Sequence, residues 1–183
     1  MAHNRGHRFD GAADQLRAPD RIARMEVQRV AALSIEGLAV ERVLDVGIGT
    51  GLFAEAFSKL APRVVGLDIN AEFLEVARKY VPEAQFTLAP AEEIPYGDGW
   101  FDVAFLGVVL HETDNPLKVL EEARRVTRSR VAVLEWPYRQ EDQGPPLEHR
   151  LSPERIKELA GKAGLRDLES ISLDQMDFYR LTS

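Results

Sequence analysis

Three alternate glycines and two nearby acids are the residues of this chain best suited to binding a ligand. The glycines follow a short apolar run and precede an amphipathic stretch: Gly47, Gly49 and Gly51. Asp45 lies just before the first glycine, and Asp68 ends a second apolar run. Glycine lets a ligand approach the backbone where a Cβ atom would block it. The pattern therefore predicts a ligand site beside the ends of two strands.

The residues on either side of the glycines predict the elements that position them. The run 43–46 is rich in β-branched residues, as is typical of a parallel strand buried on both faces. Apolar residues then recur at helical spacing: Leu52, Phe53, Ala56, Phe57 and Leu60. The segment thus predicts a strand, a tight turn and a helix.

Charge and spacing distinguish two ligand classes for such a turn. Dinucleotide sites use G-x-G-x-x-G and face a pyrophosphate, whereas this chain has G-x-G-x-G and places Leu52 at the last position of the dinucleotide pattern. Asp45 would repel a pyrophosphate and attract a ligand with an ammonium and a sulfonium, which favours S-adenosylmethionine. Asp68 is placed to accept from both hydroxyls of a ribose. Alternatively, Asp68 and Asn70 only cap the next helix.

Strands and helices alternate along the rest of the chain. We expect strands at 63–68, 85–88, 101–106 and 130–135, helices at 71–80, 116–126 and from Pro153 to near Gly164, and two final strands at about 165–173 and 176–181. The stretch 9–33 predicts two helices interrupted at Ala18-Pro19, the second with apolar positions at Ile22, Met25, Val30 and Leu33. This order predicts an α/β fold: a doubly wound, mostly parallel sheet with helices on both faces and an antiparallel C-terminal hairpin.

Composition narrows the functional class. The 183 residues are enough for one domain, which we expect to span 1–183 with 1–36 as an N-terminal helical lid. A net charge of −7 argues against a broad nucleic-acid or anionic-membrane surface, and the absence of cysteine excludes thiolate chemistry and cysteine-based zinc sites. His3 and His7 are the one histidine pair at ligand spacing, and we expect no metal there. No apolar stretch is long enough to span a membrane, and no secretory signal is recognisable, so a cytoplasmic location is expected.

Several segments together carry a family resemblance: 43–51, 64–70, 91–96, 101–105 and Leu110-His111-Glu112. In this combination they resemble the class I S-adenosylmethionine-dependent methyltransferases, and within them the small enzymes of the ubiquinone/menaquinone-biosynthesis type. The resemblance is strong over roughly residues 40 to 135. It implies a seven-stranded sheet in the order 3-2-1-4-5-7-6, S-adenosylmethionine as cofactor with S-adenosylhomocysteine as product, and in-line methyl transfer to a small organic acceptor.

The resemblance also implies roles for individual residues. Those expected around the methionine end of the cofactor are Asp45, Gly47, Gly49, Thr50 and Gly51. Asp68 would hold the ribose, Ile69 would pack on the adenine, and Leu106 would also contact the cofactor. The segment 89–92 would reach the adenine edge, where this chain has Pro90 in place of the usual acid. Because proline has no side-chain acceptor, either the Ala91 amide with a water or the Glu92 carboxylate would replace it.

The acceptor site is expected beyond the carboxyl ends of the strands. His111 is the candidate catalytic base because its pKa lies near neutrality, although it could instead bond to a loop or line the cofactor pocket. Glu112, Glu135 and Tyr138 are weaker candidates for the base. Trp136 and Tyr138 either wall a flat substrate or only pack the loop. Because the candidate pocket residues are mostly apolar, we expect the substrate to be a small, quinone-like or other apolar ring. We expect a monomer or homodimer that does not bind nucleic acid. The alternative function is a non-catalytic S-adenosylmethionine-binding module that regulates a partner, and a nicotinamide-dependent oxidoreductase is disfavoured.

Overall fold

A seven-stranded sheet forms the centre of the protein. The computed structural model describes residues 11–182, and its strands lie in the order 3-2-1-4-5-7-6, which confirms the expected order. They are β1 Arg42–Val46, β2 Arg63–Asp68, β3 Gln85–Leu88, β4 Phe101–Gly107, β5 Thr127–Glu135, β6 Arg166–Ser172 and β7 Asp177–Thr182. The first five strands run parallel, and β7 is antiparallel to both β5 and β6. The carboxyl ends of β1, β2 and β4 therefore meet at one edge of the sheet.

Helices cover both faces of the sheet. They are α1 Pro19–Arg24, α2 Val27–Ile35, α3 Leu52–Phe57, α4 Ala71–Tyr80, α5 Pro116–Val126 and α6 Pro153–Lys162, and a short 3₁₀ helix, Gln15–Arg17, precedes α1. One apolar core joins α2, α3 and α4 to the sheet, and a second joins α5 and α6 to the opposite face. Alternate residues of β4 serve the two cores, Phe105 the first and Leu106 the second. This arrangement confirms the doubly wound α/β prediction.

Local sequence signals account for most element boundaries. The bounds of β2, β3, α4 and α5 are those predicted. Asn115 caps α5 by accepting from the Lys118 N–H, and Pro116 occupies the first helical position, where the missing N–H leaves no bond unmade. Strand β5 begins at Thr127, three residues earlier than predicted. The part of the chain described here contains no helix long and apolar enough to cross a membrane.

The N-terminal region differs from its prediction. The second helix, expected to continue to Leu33, is broken, because Glu26 has a left-handed φ of +44°. The Glu26 carboxylate accepts from the Asp174 N–H at 2.8 Å, in the turn before β7. The break leaves Ile22 exposed, contrary to expectation, while Met25 is buried. The prediction for residues 1–10, including His3, His7 and the start of the first helix, lies outside the described residues.

Helix α3 is also shorter than its apolar pattern predicts. It ends at Phe57, and Leu60 lies beyond it with 42 % of its surface exposed. The assignment of Leu60 to the buried face is therefore wrong. Two backbone hydrogen bonds within residues 57–61 form turns there, from the Leu60 N–H and the Ala61 N–H to the Phe57 carbonyl, both at 2.9 Å. The helical spacing of apolar residues thus continues into a turn in which Leu60 is exposed.

Candidate functional site

A cavity of about 250 Å³ lies where the carboxyl ends of β1, β2 and β4 meet the turn of alternate glycines. Most of the residues predicted for a cofactor line this cavity: Asp45, Gly47, Gly49, Thr50, Asp68, Ile69, Ala91 and Glu92. Pro90 lines it as well. The sheet topology thus brings together residues that are up to half the domain apart in sequence, as expected for a topological switch point in an open α/β sheet.

The glycine turn is held tightly against its neighbours. The N–H groups of Gly47 and Ile48 both donate to the Leu67 carbonyl, at 2.7 and 3.0 Å. Gly47 has a φ of +67°, and a Cβ atom built on it would lie 2.5 Å from a methyl of Val109. A side chain there would both strain the backbone and collide with the wall of the cavity. Glycine at this position is therefore required by packing as well as by conformation.

Asp68 supports the glycine turn from the neighbouring strand. Its carboxylate accepts from the Gly49 N–H and the Asn70 N–H, both at 2.8 Å. Burial raises the pKa of Asp68 even though these hydrogen bonds act in the opposite direction. The cap of α4 is Asn70, whose side chain accepts from the Glu72 and Phe73 N–H groups. Asp68 thus lines the cavity and is not the residue that caps the helix.

Asp45 and Thr50 bring polar atoms to the cavity that the described protein leaves without partners. Both residues are buried, and among residues 11–182 neither Asp45 Oδ2 nor Thr50 Oγ1 has a hydrogen-bond partner. Burial, reinforced by the nearby Asp68 carboxylate, raises the pKa of Asp45 well above its usual range. Buried polar atoms are normally satisfied, so these two match a ligand that brings hydrogen-bond donors and positive charge. The amino group of S-adenosylmethionine fits that requirement.

Two residues predicted to contact the cofactor do not line the cavity. Gly51 is the N-cap of α3 with a φ of +81°, and a Cβ atom there would lie 3.2 Å from Ala77, so its part is to let α3 pack on α4. Leu106 is fully buried in the core on the α5 side of the sheet. Because successive strand residues point to opposite faces, the next residue, Gly107, lines the cavity in place of Leu106.

A second cavity, of about 510 Å³, adjoins the first. The residues that line both cavities are Arg21, Val108 and Glu112. The other residues of the second cavity are Gln15, Ala18, Asp20, Arg24, His111, Trp136, Gln143, Gly144 and Pro145. Charged and amide side chains share this lining with apolar ones, and the expectation of a mostly apolar acceptor pocket stays a prediction. Val108 has a φ of +61°, which is strained for a β-branched residue, at the boundary between the two cavities.

His111 lies in the wall of the second cavity and is bonded to a buried carboxylate. Its Nδ1 is 2.7 Å from Oε2 of Glu135, the last residue of β5, and its Nε2 is 3.7 Å from Oε1 of Glu112. Burial lowers the pKa of His111, but Glu135 and then Glu112 outweigh this effect, so the pKa is raised overall. Since Glu135 occupies Nδ1, Nε2 is the ring atom that remains for a ligand.

Of the two aromatic residues predicted in the loop after β5 to contact a substrate, only Trp136 lines the second cavity. The Trp136 side chain is buried, with guanidinium groups of Arg24 and Arg150 at 5.5 and 5.4 Å from its ring centroid. Tyr138 is about half-exposed and lines neither cavity. The Arg139 N–H donates to the Pro137 carbonyl at 2.8 Å, which closes a tight turn with Tyr138 at its apex. This turn directs Tyr138 away from both cavities, and its role toward a substrate stays a prediction.

The N-terminal segment covers the first cavity. Arg17 donates to the Thr50 carbonyl at 2.9 Å, pairs with Glu55 and stacks over the Tyr80 ring at 3.5 Å. Sequence reasoning missed the arginines of this segment, because charged residues in a short amphipathic helix are usually solvated. These arginines differ from solvated ones only in their contacts with residues distant in the sequence, and no local sequence pattern predicts such contacts.

Comparison with known proteins places this geometry in a family. Residues 44–134 match the methyltransferase domain family. Demethylmenaquinone methyltransferase of Renibacterium salmoninarum is 31% identical over 113 residues, which are 61% of this chain and 48% of that protein. Malonyl-[acyl-carrier protein] O-methyltransferase of Hamiltonella defensa is 36% identical over 92 residues, 50% of this chain and 36% of that protein. The chain thus spans about half or less of the length of these curated relatives.

The fold has a close counterpart among solved structures. A S-adenosylmethionine-dependent methyltransferase from Aquifex aeolicus superposes with a TM-score of 0.85 at 24% identity, over 96% of this chain and 99% of that one. The strand order, the glycine turn and the two acids agree with the resemblance seen in the sequence. Residues 44–134 of this chain therefore match the methyltransferase domain family, and the chain has the same fold as the Aquifex aeolicus structure.

Proposed function

We propose that this protein is an S-adenosylmethionine-dependent methyltransferase that acts on a small organic acceptor. The observation that carries the proposal is the cavity with unpartnered Asp45 Oδ2 and Thr50 Oγ1, which adjoins a second cavity across the shared residues Arg21, Val108 and Glu112. Two cavities that meet at a common wall suit a donor and an acceptor that react in line. The family match and the names of the relatives support the same reaction.

Each part of the first cavity has a role toward the cofactor in this proposal. When bound, S-adenosylmethionine would supply a methyl group activated by a sulfonium. Asp45 and Thr50 would accept from its amino group, and the Asp68 carboxylate would accept from the ribose hydroxyls. Ile69, which is half-exposed beside the cavity, would pack on the adenine. Glu92 lines the adenine side and would accept from the adenine amino group where Pro90 does not.

The second cavity would hold the acceptor. His111 Nε2 would take the proton of an acceptor hydroxyl, and the Glu135 carboxylate would stabilise the resulting imidazolium. We also propose that residues 1–36 act as a lid on a single domain spanning 1–183, because the described part of this segment lies over the first cavity and carries Leu16, Arg21 and Met25 into its wall. Closing the lid would exclude water from the transfer.

Three further properties belong to the proposal. We propose a small-molecule acceptor without nucleic acid, a cytoplasmic location, and a monomeric or homodimeric state. The net charge of −7 supports the exclusion of nucleic acid, since a nucleic-acid surface requires clustered positive charge. Size-exclusion chromatography with light scattering would determine the oligomeric state.

Calorimetry tests the cofactor assignment. Titration of S-adenosylmethionine into the protein should give a binding isotherm, and NAD should give none. Asp68→Ala should weaken binding by about 1–3 kcal/mol, because it removes charge-assisted hydrogen bonds. Glu83→Gln, at an exposed position, changes the net charge equally and should leave the affinity unchanged. A clear isotherm with NAD and no heat with S-adenosylmethionine would overturn the assignment.

Isotopically labelled methyl donor added to a metabolite extract tests the transfer itself. We expect label in a small molecule, and His111→Gln should reduce its incorporation by about 10²-fold or more, as is typical for loss of a general base. Binding of the cofactor with no labelled product from any extract would favour the regulatory-module alternative, for which the substitution of Pro90 at the adenine edge is the motivating observation.

A further inference from the structure

The arginines around the two cavities differ in how their guanidinium groups are used. Arg17 bonds to Thr50 and Glu55, and Arg24 donates to the Gln143 side chain at 2.7 Å. Arg150 donates to several backbone carbonyls of the loop after β5. Arg21 is the exception, because within residues 11–182 its backbone carbonyl accepts from the Met25 N–H but its guanidinium makes no hydrogen bond. A guanidinium carries five N–H donors, and in a partly buried position they require acceptors.

Arg21 lies at the position where the donor and acceptor would meet. It lines both cavities, together with Glu112 and Val108. Burial lowers the pKa of Arg21, and the opposing influence of Glu112 and Asp20 is smaller than the effect of burial. The nearby carboxylates therefore do not fully offset the effect of burial on the pKa of Arg21. A further acid at this wall would do so, since the planar guanidinium can bind two oxygens of a second carboxylate beside Glu112.

We propose that Arg21 recognises an anionic oxygen group of the methyl acceptor, a carboxylate or an ionised hydroxyl, at the junction of the two cavities. The inference rests on the proposed function and specifies its substrate class as small organic acids. A flat part of such an acid would pack on Trp136, which walls the same cavity. A carboxylate acceptor needs no base, whereas a hydroxyl transfers its proton to His111 Nε2 and leaves its oxyanion facing Arg21.

The charge of the acceptor can be tested before the acceptor is known. The protein is first saturated with S-adenosylhomocysteine, so that the first cavity is filled, and is then titrated with benzoate or with its neutral isostere benzamide. We expect benzoate to bind at least tenfold more tightly than benzamide. Arg21→Gln should abolish this difference, and Arg21→Lys should restore part of it. Arg63→Gln, at an exposed position at the start of β2, should preserve the difference.

A second arm distinguishes the acceptor from the carboxylate of the cofactor. S-adenosylhomocysteine carries that carboxylate, and 5′-methylthioadenosine lacks it. If Arg21 serves the acceptor, Arg21→Gln will bind both compounds as the unsubstituted protein does. Weaker binding of S-adenosylhomocysteine alone would assign Arg21 to the cofactor and overturn the proposal. Equal binding of benzoate and benzamide to the unsubstituted protein, or no binding of benzoate, would also overturn it.

Cofactor binding distinguishes a wrong role for Arg21 from a wrong function for the protein. The proposed function fails when the unsubstituted protein does not bind S-adenosylmethionine, whereas the present inference fails with cofactor binding intact. Thermal unfolding of Arg21→Gln shows whether the variant is folded. Arg21→Lys, which keeps the charge, provides a second variant if Arg21→Gln does not fold.

Discussion

At the scale of single residues, the ion pair of His111 with Glu135 makes the stability of the protein depend on pH. The folded-state pKa of His111 is raised above its unfolded value, through Glu135 and Glu112 and against burial and Arg21. The stabilisation is therefore complete below the unfolded pKa and is lost as pH rises through the folded pKa. Each unit by which the folded-state pKa exceeds the unfolded pKa contributes about 1.4 kcal/mol to the free energy of unfolding.

We accordingly predict that the free energy of unfolding falls as pH rises above about 6.5, the ordinary histidine value. Urea denaturation over a series of pH values measures this fall. His111→Gln should remove most of the fall, while His149→Gln should retain it. A variant at position 111 with an unchanged pH dependence would assign the effect to another group.

The buried carboxylate of Asp45 predicts that cofactor binding releases a proton. Burial and Asp68 raise the pKa of Asp45, so below that pKa the carboxyl is protonated and must ionise to meet a cationic ligand. The affinity for S-adenosylmethionine should therefore rise by up to about tenfold per pH unit in this range. Calorimetry in two buffers with different ionisation enthalpies counts the released protons. Asp45→Asn should bind more weakly and release fewer protons, and equal heats in both buffers would contradict the prediction.

Some site residues follow from sequence and others do not, for a physical reason. Asp45 and Asp68 are recognisable because a strand end and a glycine turn fix their place. Leu106 and Gly107 cannot be distinguished in this way, since a strand buried on both faces shows no alternation of polarity. Arg21 also escapes prediction, because its use depends on which cavity walls meet at the fold's centre and not on its neighbours in the chain.

At the scale of elements, the loop between β5 and α6 depends on one buried side chain. Arg150 donates to the carbonyls of Pro137, Arg139, Gln143 and Pro145, at 2.9, 3.0, 2.6 and 2.9 Å, and also to Glu141 at 3.1 Å. Lysine has three donors on a single nitrogen and cannot reach such a set. The shape of the loop therefore requires arginine at this position.

We predict that Arg150→Lys loosens this loop and destabilises the protein by about 1–3 kcal/mol, because one buried and three partly buried carbonyls lose their donor. Hydrogen exchange should accelerate within residues 137–149, and thermal unfolding should occur at a lower temperature. Arg139→Lys is the matched control in the same loop, since the Arg139 side chain is exposed and bonds only to Glu141 among the described residues. The prediction fails if the two variants exchange at the same rate.

Element boundaries were predictable wherever local signals decide them. The bounds of α4 and α5 follow from asparagine caps and apolar spacing, which need no knowledge of the fold. The break between α1 and α2 does not follow from local signals, because the Glu26 carboxylate accepts from a backbone N–H 148 residues away. A hydrogen bond of this range appears only when the C-terminal hairpin has been placed.

At the scale of the whole molecule, the contact of Arg17 with Thr50, Glu55 and Tyr80 fastens the N-terminal segment over the first cavity. An ion pair and a cation–π contact of this kind contribute roughly 1–2 kcal/mol together. In the proposed role as a lid, the segment would move for a ligand to enter the first cavity. Arg17 should therefore influence the rate of cofactor exchange more than the stability of the sheet.

We predict that Arg17→Gln increases the dissociation rate of S-adenosylhomocysteine about tenfold, in line with a loss of about 1.4 kcal/mol. Stopped-flow displacement measures the rate, and hydrogen exchange should accelerate in residues 15–24. Arg78→Gln, which removes an exposed arginine of α4, is the control and should leave both unchanged. An unaltered dissociation rate in Arg17→Gln would show that the segment does not retain the cofactor.

The topology of the sheet was predictable because strand order follows from a resemblance spread over many residues. The side-chain composition of the second cavity was not predictable, because its walls come from the N-terminal segment, the end of β4 and the loop after β5. Each of these segments looks like an ordinary surface by itself. They converge only in the folded chain, where charged, amide and apolar side chains together line the second cavity.

The hydrogen bonds of Arg150 determine which substitutions the loop between β5 and α6 can accept. Four of the groups that it binds are main-chain carbonyls, which every amino acid provides. In a saturation library, positions 138–149 should accept many residues without losing the loop's path, with Gly144 as an exception because a Cβ atom there would lie 2.7 Å from the Trp136 ring. Gln143 and Pro145 line the second cavity, so under the proposed function the selectivity for the acceptor could be altered while the path of the loop stays constant.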